Sequence, residues 1–184
     1  MKAVLMSIQP KWCELIASGE KTIEVRKNKP KLDVPFKVYI YETKALYKPR
    51  GTKHLFQGSG KVIGEFVCNK VDRMAHYGSC NSDIHLSLVG EKLYIKPLDY
   101  EYLNKCKLSY FEIDKYSNGG DVYGWHMSNL VIYDKPKELS DFEIECKGGC
   151  DIPYMYCPPC EECRKNRLTR PPQSWCYVES EDTE

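Results

Sequence analysis

The sequence predicts an α+β fold: a small mixed β-barrel of about five to six strands with short helices at its rim. Segments of alternating apolar and polar residues recur along the chain, and such alternation is typical of half-buried strands. Between them lie short stretches with helical spacing, bracketed by proline and glycine. The chain also has 14 Tyr against 5 Phe, and aromatic residues with a hydroxyl group suit a sheet with one wet face.

The apolar pattern places these elements in a mixed order. Strands are expected at residues 2–8, 21–27, 36–42, 60–71, 122–133 and 174–178. Helices are expected at residues 10–18, 98–105 and 109–116, with Ser109 as the cap of the last one. Residues 45–60 are rich in glycine and predict a loop, whereas residues 72–97 show no clear period.

Length and composition fit a single folded domain. The chain has 184 residues, of which 42% are hydrophobic and 29% charged, as is ordinary for a globular protein. We expect one domain over residues 1–179, with a cysteine-rich insert at residues 143–168. Residues 180–184 are mostly acidic, and we expect them to form a disordered tail.

The charge pattern limits the expected partners. The net charge of +1 excludes a strongly basic nucleic-acid-binding protein, although lysine and arginine are concentrated in residues 20–50. The N-terminus lacks the pattern of a signal peptide, and no segment approaches the ~20 apolar residues that span a bilayer. We therefore expect a cytoplasmic protein with no membrane partner. The oligomeric state is not predicted by the sequence.

Six of the ten cysteines lie close together near the C-terminus. In the reducing cytoplasm that we expect for this protein, they are not expected to form disulfides. Their C-x-x-x-C and C-x-x-C spacings let one turn supply two of the four thiolates of a structural zinc site. The candidate ligands are Cys146, Cys150, Cys157, Cys160 and Cys163, and the first four form the leading set. An iron–sulfur cluster or free thiols are the alternatives.

One segment carries a resemblance to a known family. Residues 19–26, Gly-Glu-Lys-Thr-Ile-Glu-Val-Arg, resemble the G-x-K-x-x-E-x-R signature of the ASCH domain family, and they follow a predicted strand and helix as in that family. Residues 125–130 and 171–178 are similar to segments of the small ASCH proteins of bacteria and phages. The resemblance covers about residues 1–145 and 169–179.

The resemblance implies a PUA-like fold with a cleft between barrel and helices, and a role in binding RNA or a modified nucleotide. It also implies two enzyme activities found in parts of the family. One is hydrolysis of acetylated cytidine through a Lys-Thr-Glu set, and the other is a ribonuclease activity. In the amidohydrolase-like members a threonine stands where this chain has Glu24, whereas Lys21 matches them.

Lys21, Glu24 and Arg26 are the central candidates for the cleft. Glu24 and Arg26 share one strand face, so a bidentate pair can aim the guanidinium at a phosphate or a base edge. Lys21 can hold a phosphate or, when desolvated, act as a base. The alternative is a surface ion pair. The expected ligand-binding residues are Gln9, Lys21, Glu24, Arg26, Trp125, His126, Gln173 and Ser174.

Three functions are compatible with these features. The first is a binding module for RNA or a modified nucleotide. The second is a hydrolase or ribonuclease in which Lys21 and Glu24 are catalytic. The third is a phage-type interaction factor whose zinc loop contacts a host protein.

Overall fold

The computed structural model describes residues 1–49, 51–77, 85–90, 95–144 and 167–180. The chain is divided into two compact units. The first unit comprises Met1–Pro10, Lys37–Glu65 and Val131–Glu184, and the second comprises Lys11–Phe36 and Phe66–Leu130. Two long strands each contribute residues to both units.

The described residues contain ten strands and three α-helices. In chain order they are β1 (Lys2–Ile8), α1 (Pro10–Ala17), β2 (Ile23–Arg26), β3 (Phe36–Glu42), β4 (Leu46–Tyr47), β5 (Phe56–Gln57), β6 (Val62–Tyr77), β7 (His85–Val89), β8 (Ile95–Pro97), α2 (Tyr100–Cys106), α3 (Tyr110–Ser117), β9 (Val122–Lys137) and β10 (Trp175–Glu179). A short 3₁₀ helix spans Leu139–Asp141.

Strand β1 lies between two partners in the first unit. It pairs in parallel with β3, where Val4 is opposite Val38, and antiparallel with β10, where Val4 is opposite Tyr177. Every residue of β1 after Lys2 is buried, which accounts for its nearly continuous apolar sequence. After β10, the backbone N–H of Ser180 donates to the carbonyl of Met1 at 2.6 Å. Residues 181–184, expected to be part of a disordered tail, lie outside the described residues.

The second unit packs its helices against β2 and its strand neighbours. Strand β2 pairs antiparallel with β9, with Ile23 opposite His126 and Glu24 opposite Trp125. The apolar core of this unit contains Ile23, Val25, Met74, Leu86, Tyr102, Cys106, Ile113 and Val122. Each of the last two helices has a side-chain cap: Asp99 accepts from the backbone N–H of Tyr102, and Ser109 forms a capping box with Glu112.

Most of the helices and strands expected from the sequence are confirmed. The differences are two strands that are longer than expected and four short strands in segments where none was expected. Strands β6 and β9 extend to Tyr77 and Lys137, beyond the segments that the apolar alternation marked. The hairpin of β4 and β5 lies within residues 45–60, which predicted a loop, and β7 and β8 lie within residues 72–97. These short or exposed strands have too few buried positions to give a period in the sequence.

The strand pairing corrects the expected barrel. Among the described residues, eight strands share one mixed sheet in the order β10-β1-β3-β6-β7-β8, and β9 pairs with β2 and β6. No described pairing joins β10 to β8, so the α+β class is confirmed but closure into a barrel is not found. Mixed sheets of this size also occur as open sheets, and closure requires a last pairing that alternation in a sequence does not encode.

The helices of the described ranges are short. None of them has the length and apolar character that crossing a membrane requires.

Gly124 on β9 is a point where only glycine fits. A Cβ at this position would overlap the hydroxyl of Tyr102 and lie 3.1 Å from Cγ2 of Ile23. Tyr102 is buried in the apolar core of this unit. We therefore expect Gly124→Ala to lower the free energy of unfolding by about 1–3 kcal/mol through overpacking, as measured by urea denaturation.

The double variant Gly124→Ala/Tyr102→Phe tests the cause, because removal of the tyrosine hydroxyl makes room for the new methyl group. It should recover part of the lost stability. Gly120→Ala is the control, since its Cβ would make only an ordinary contact of 3.5 Å with the carbonyl of Ser117. If Tyr102→Phe recovers nothing, the overlap with the hydroxyl is not the cause.

Candidate ligand-binding site

A buried lysine occupies the centre of the second unit. The side chain of Lys21 donates to the carbonyls of Ile23 at 2.9 Å and Cys106 at 2.6 Å, and its Nζ lies 3.2 Å from Oε2 of Glu24. The residue is only 2% exposed. Cys106 ends α2, and a cation is favoured at a helix C-terminus because the last carbonyls carry partial negative charge. The three protons of the ammonium group are thus directed to three oxygen acceptors.

Glu24 links this lysine to Arg26. One carboxylate oxygen contacts Lys21, and the other lies 2.9 Å from a terminal nitrogen of Arg26. The side chains of Glu24 and Arg26 are 9% and 11% exposed. The structure therefore brings Lys21, Glu24 and Arg26 into one ion-pair chain, which we call the Lys–Glu–Arg network.

Trp12 adds an aromatic surface that the sequence did not single out. Its ring centroid lies 5.1 Å from Nζ of Lys21 and 4.0 Å from Nζ of Lys11, both within range of a cation–π interaction. Trp12 is half-buried on α1. In the sequence, only its position in a short helix directly before residues 19–26 could have indicated a ligand-binding role. That signal is weak, because a tryptophan in such a helix is more often a core residue.

Trp125 and His126 lie on opposite faces of β9. Trp125 is 0% exposed and packs edge-on against Phe36, with 5.5 Å between the ring centroids. In this position its ring is covered by protein. Nε2 of His126 lies 2.6 Å from Oδ2 of Asp72, and Lys70 contacts the other oxygen of that carboxylate at 2.8 Å. Asp72 was not expected from the sequence, since residues 72–97 gave no clear period.

The environment of Asp72 sets the direction of its pKa. Burial by itself would raise the pKa of the Asp72 carboxyl, but hydrogen bonds from His126 and Lys70 and their charges outweigh it and hold the pKa below its usual range. The ionised carboxylate is therefore the form that the fold stabilises.

The other expected ligand-binding residues belong to the first unit. Gln9 lies exposed between β1 and α1, and Gln173 lies exposed just before β10. Ser174 accepts a hydrogen bond of 2.9 Å at its carbonyl from the backbone N–H of Ser7. The hydroxyl of Ser7 donates to the carbonyl of Pro172 at 2.6 Å, so the segment before β10 is held to the end of β1.

The expected zinc ligands Cys146, Cys150, Cys157, Cys160 and Cys163 lie outside the described residues. Within the described ranges, no group of His, Cys, Asp or Glu side chains is placed to hold a metal ion. The free cysteines described there are Cys13, Cys68, Cys106 and Cys176. Burial raises the pKa of Cys68 and Cys106 to about 12 and that of Cys176 to about 11, which disfavours the reactive thiolate.

The family comparison agrees with the motif. The family model of the ASCH domain matches residues 6–133, and the chain belongs to the ASCH domain family. This range contains the Lys–Glu–Arg network, Trp12 and the His126–Asp72 pair. No curated protein sequence matches the chain.

Solved structures with a similar fold include the ASCH protein of Zymomonas mobilis. That crystal structure is 19% identical in sequence, with a TM-score of 0.55 over 97% of this chain and 89% of that chain. A variant of the same protein with a tyrosine changed to phenylalanine is also 19% identical, with a TM-score of 0.54 over 97% of this chain and 91% of that chain. At this identity the likeness shows the fold alone.

The pH dependence of stability should reveal the Asp72 contacts. Because the folded pKa of Asp72 lies below the unfolded value of about 3.9, its contribution is present above that pH and is lost as the pH falls through the folded pKa. We expect Asp72→Asn to lower the free energy of unfolding by about 1–2 kcal/mol at pH 7 and by less below about pH 4, as measured by urea denaturation at each pH.

Lys70→Gln is the matched control, because Lys70 is largely exposed and an exposed ion pair contributes about 0–1 kcal/mol. A difference between wild type and Asp72→Asn that stays constant from pH 7 to pH 2 would contradict the assigned contacts.

Proposed function

We propose that the second unit binds single-stranded RNA or a nucleotide at the surface formed by Trp12, Arg26 and their neighbours. The observation that carries this proposal is the burial of a chain of three charged side chains, one end of which, Lys21, lies beside the ring of Trp12. Taking an ion pair out of water costs several kcal/mol per ion, and an apolar replacement is often as stable. A network with that cost is better explained by recognition of a charged ligand than by stability alone.

Each member of the network has a distinct part. Glu24 holds the guanidinium of Arg26, whose planar fork matches a phosphate or a base edge. Lys21 is engaged by Ile23, Cys106 and Glu24, so its part is to position Glu24 rather than to contact phosphate.

Two aromatic side chains support the proposal as candidate stacking surfaces for a base. Trp12 lies beside Lys21, and Tyr123 is opposite Arg26 in the pairing of β2 with β9 and is half-buried. Directly opposite residues share a face of the sheet, so Tyr123 and Arg26 project to the same side. Trp125, fully buried, supports this region by packing.

The surrounding charge is moderate. Lys11 and Lys27 are exposed, and Nζ of Lys27 lies 5.3 Å from the ring centroid of Tyr116. With a net charge of +1, the protein can neutralise few phosphates, so the dependence of affinity on salt should be shallow for nucleic-acid binding.

The test is a fluorescence titration of labelled RNA oligomers and of free nucleotides at low salt. Base stacking contributes ~1–3 kcal/mol per base, so Trp12→Ala should weaken binding at least about fivefold. Arg26→Ala should weaken it more than Arg26→Lys, because lysine keeps the charge but loses the fork. Tyr100→Ala is the control, since Tyr100 is an aromatic residue of the same unit that is 85% exposed and lies outside the network.

Glu24→Gln separates binding from catalysis. If Glu24 only orients Arg26, the variant binds RNA more weakly, and neither it nor wild type produces cleaved or deacylated product. If Glu24 is an acid–base group, wild type shows turnover and the variant loses it. For Lys21, the contacts of its ammonium group favour a part in binding over one as a general base. All three of its protons are engaged, whereas a general base needs a free lone pair on its nitrogen.

An absence of affinity for every RNA oligomer and nucleotide at low salt would refute the binding proposal. The interaction-factor hypothesis would then take its place, and capture of a protein partner would become the relevant assay.

We also propose one structural zinc ion per chain, held by four of the cysteines between residues 146 and 163. The support is the C-x-x-x-C and C-x-x-C spacing of those residues. Elemental analysis of protein purified without added metal should give about one zinc per chain. The proposal fails if zinc is absent and all ten thiols of the native protein react with a thiol reagent, or if iron is found in its place.

A further inference from the structure

The first unit contains a cavity of about 570 Å³ that belongs to none of the sites above. Its volume lies within the range of about 300–1,000 Å³ typical of small-molecule sites. The lining includes four hydroxyl-bearing side chains, Tyr41, Thr43, Ser140 and Thr169, together with the ammonium group of Lys44 and the carboxylate of Glu138. Several hydrogen-bonding groups thus converge on one concave surface.

One cation, Lys44, and one anion, Glu138, line this cavity. Lys44 is exposed, and within the described ranges no ion pair is found for it. Glu138 is paired with Lys61 at 2.6 Å, so its negative charge is largely balanced. The cavity therefore favours a ligand with one anionic group close to Lys44.

Lys44 and Thr43 are held in place by the backbone around them. A Cβ on Gly60 would lie only 3.0 Å or less from three carbons of the Lys44 stem, so this glycine lets the stem pack against the chain. The backbone N–H of Thr43 donates to the carbonyl of Ile8 at 2.9 Å. The stem of Lys44 thus lies against Gly60 at the edge of the cavity.

The side chain of Thr43 contains a hydroxyl group without a hydrogen-bond partner in the described part of the chain. Its hydroxyl is buried and has no partner among the described residues, which is unfavourable for the free protein. Because Thr43 also lines the cavity, a ligand bound there can supply the missing partner.

The remaining lining suits the body of a sugar. Leu168 and Pro171 give an apolar surface, and Tyr41 adds a buried phenol. Burial, and then the charge of Glu138, raises the pKa of Tyr41, so the phenol stays protonated and can donate. The carboxylate of Glu138 can accept hydrogen bonds from hydroxyl groups of a ligand.

We propose that this cavity binds a phosphorylated sugar, with or without an attached base, whose phosphate lies at Lys44 and whose hydroxyl groups contact Thr43, Ser140 and Glu138. The proposal does not rest on the RNA-binding surface of the second unit, because the two sets of residues are different.

The experiment is isothermal titration of the full chain with ribose 5-phosphate, cytidine 5′-monophosphate, ribose and inorganic phosphate. Binding of both phosphorylated sugars indicates that the sugar phosphate is sufficient. Binding of cytidine 5′-monophosphate alone indicates that the base is required, provided that the binding persists in Trp12→Ala and is weakened in Lys44→Met. The proposal is overturned if neither binds, if ribose binds as tightly as its phosphate, or if inorganic phosphate binds as tightly as ribose 5-phosphate.

Variants locate the binding. Lys44→Met keeps the stem against Gly60 and removes the charge, so it should weaken binding about tenfold. Lys48→Met is the matched control, an exposed lysine of the same unit that does not line the cavity, and should change affinity less than twofold. Equal affinities of wild type and Lys44→Met would overturn the assignment.

Thr43→Val supplies a second readout. It should weaken binding about threefold or more, yet leave the thermal unfolding midpoint of the free protein unchanged or raised, because the lost hydroxyl had no partner. A lowered midpoint with unchanged affinity would contradict the role given to Thr43. Trp12→Ala tests independence from the RNA-binding surface: it should leave the cavity affinity unaltered while weakening RNA binding.

Discussion

The ammonium group of Lys21 joins parts of the second unit that are distant in sequence. It donates to the carbonyl of Cys106 at the end of α2, 85 residues away, and to the carbonyl of Ile23 at the start of β2. Backbone hydrogen bonds meet at the same place: the N–H of Lys21 donates to Leu15 on α1, and the N–H of Thr22 donates to Lys105 on α2. Because a buried ammonium must be surrounded by acceptors, the positions of α1, α2 and β2 constrain one another.

The same constraint shapes the candidate site. With its protons directed to Ile23, Cys106 and Glu24, Lys21 fixes one oxygen of the Glu24 carboxylate, and the other oxygen remains directed to Arg26. A low local dielectric strengthens these contacts and makes any unpaired member costly. The network therefore works as a rigid support for Arg26, whose side chain is partly exposed and which lies opposite Tyr123 in the pairing of β2 with β9.

Local sequence patterns predicted the parts of this arrangement that depend on strand geometry. In β2, Ile23 and Val25 face the apolar core, while Glu24 and Arg26 share the other face, as the alternation required. The cap of α3 likewise follows from a short-range signal, the position of Ser109. Regions without buried alternation, such as the hairpin of β4 and β5, gave no such signal.

The sequence by itself determined the α+β class, the ASCH motif and the shared face of Glu24 and Arg26, because each depends on residues a few positions apart. Only the tertiary structure decided that Lys21 is buried against Cys106, that Trp12 lies beside it, and that His126 meets Asp72 across 54 positions. The tertiary structure also decided whether the sheet closes and where a cavity forms. Contacts between segments far apart in the chain depend on packing of the whole fold, which no local period of apolar residues records.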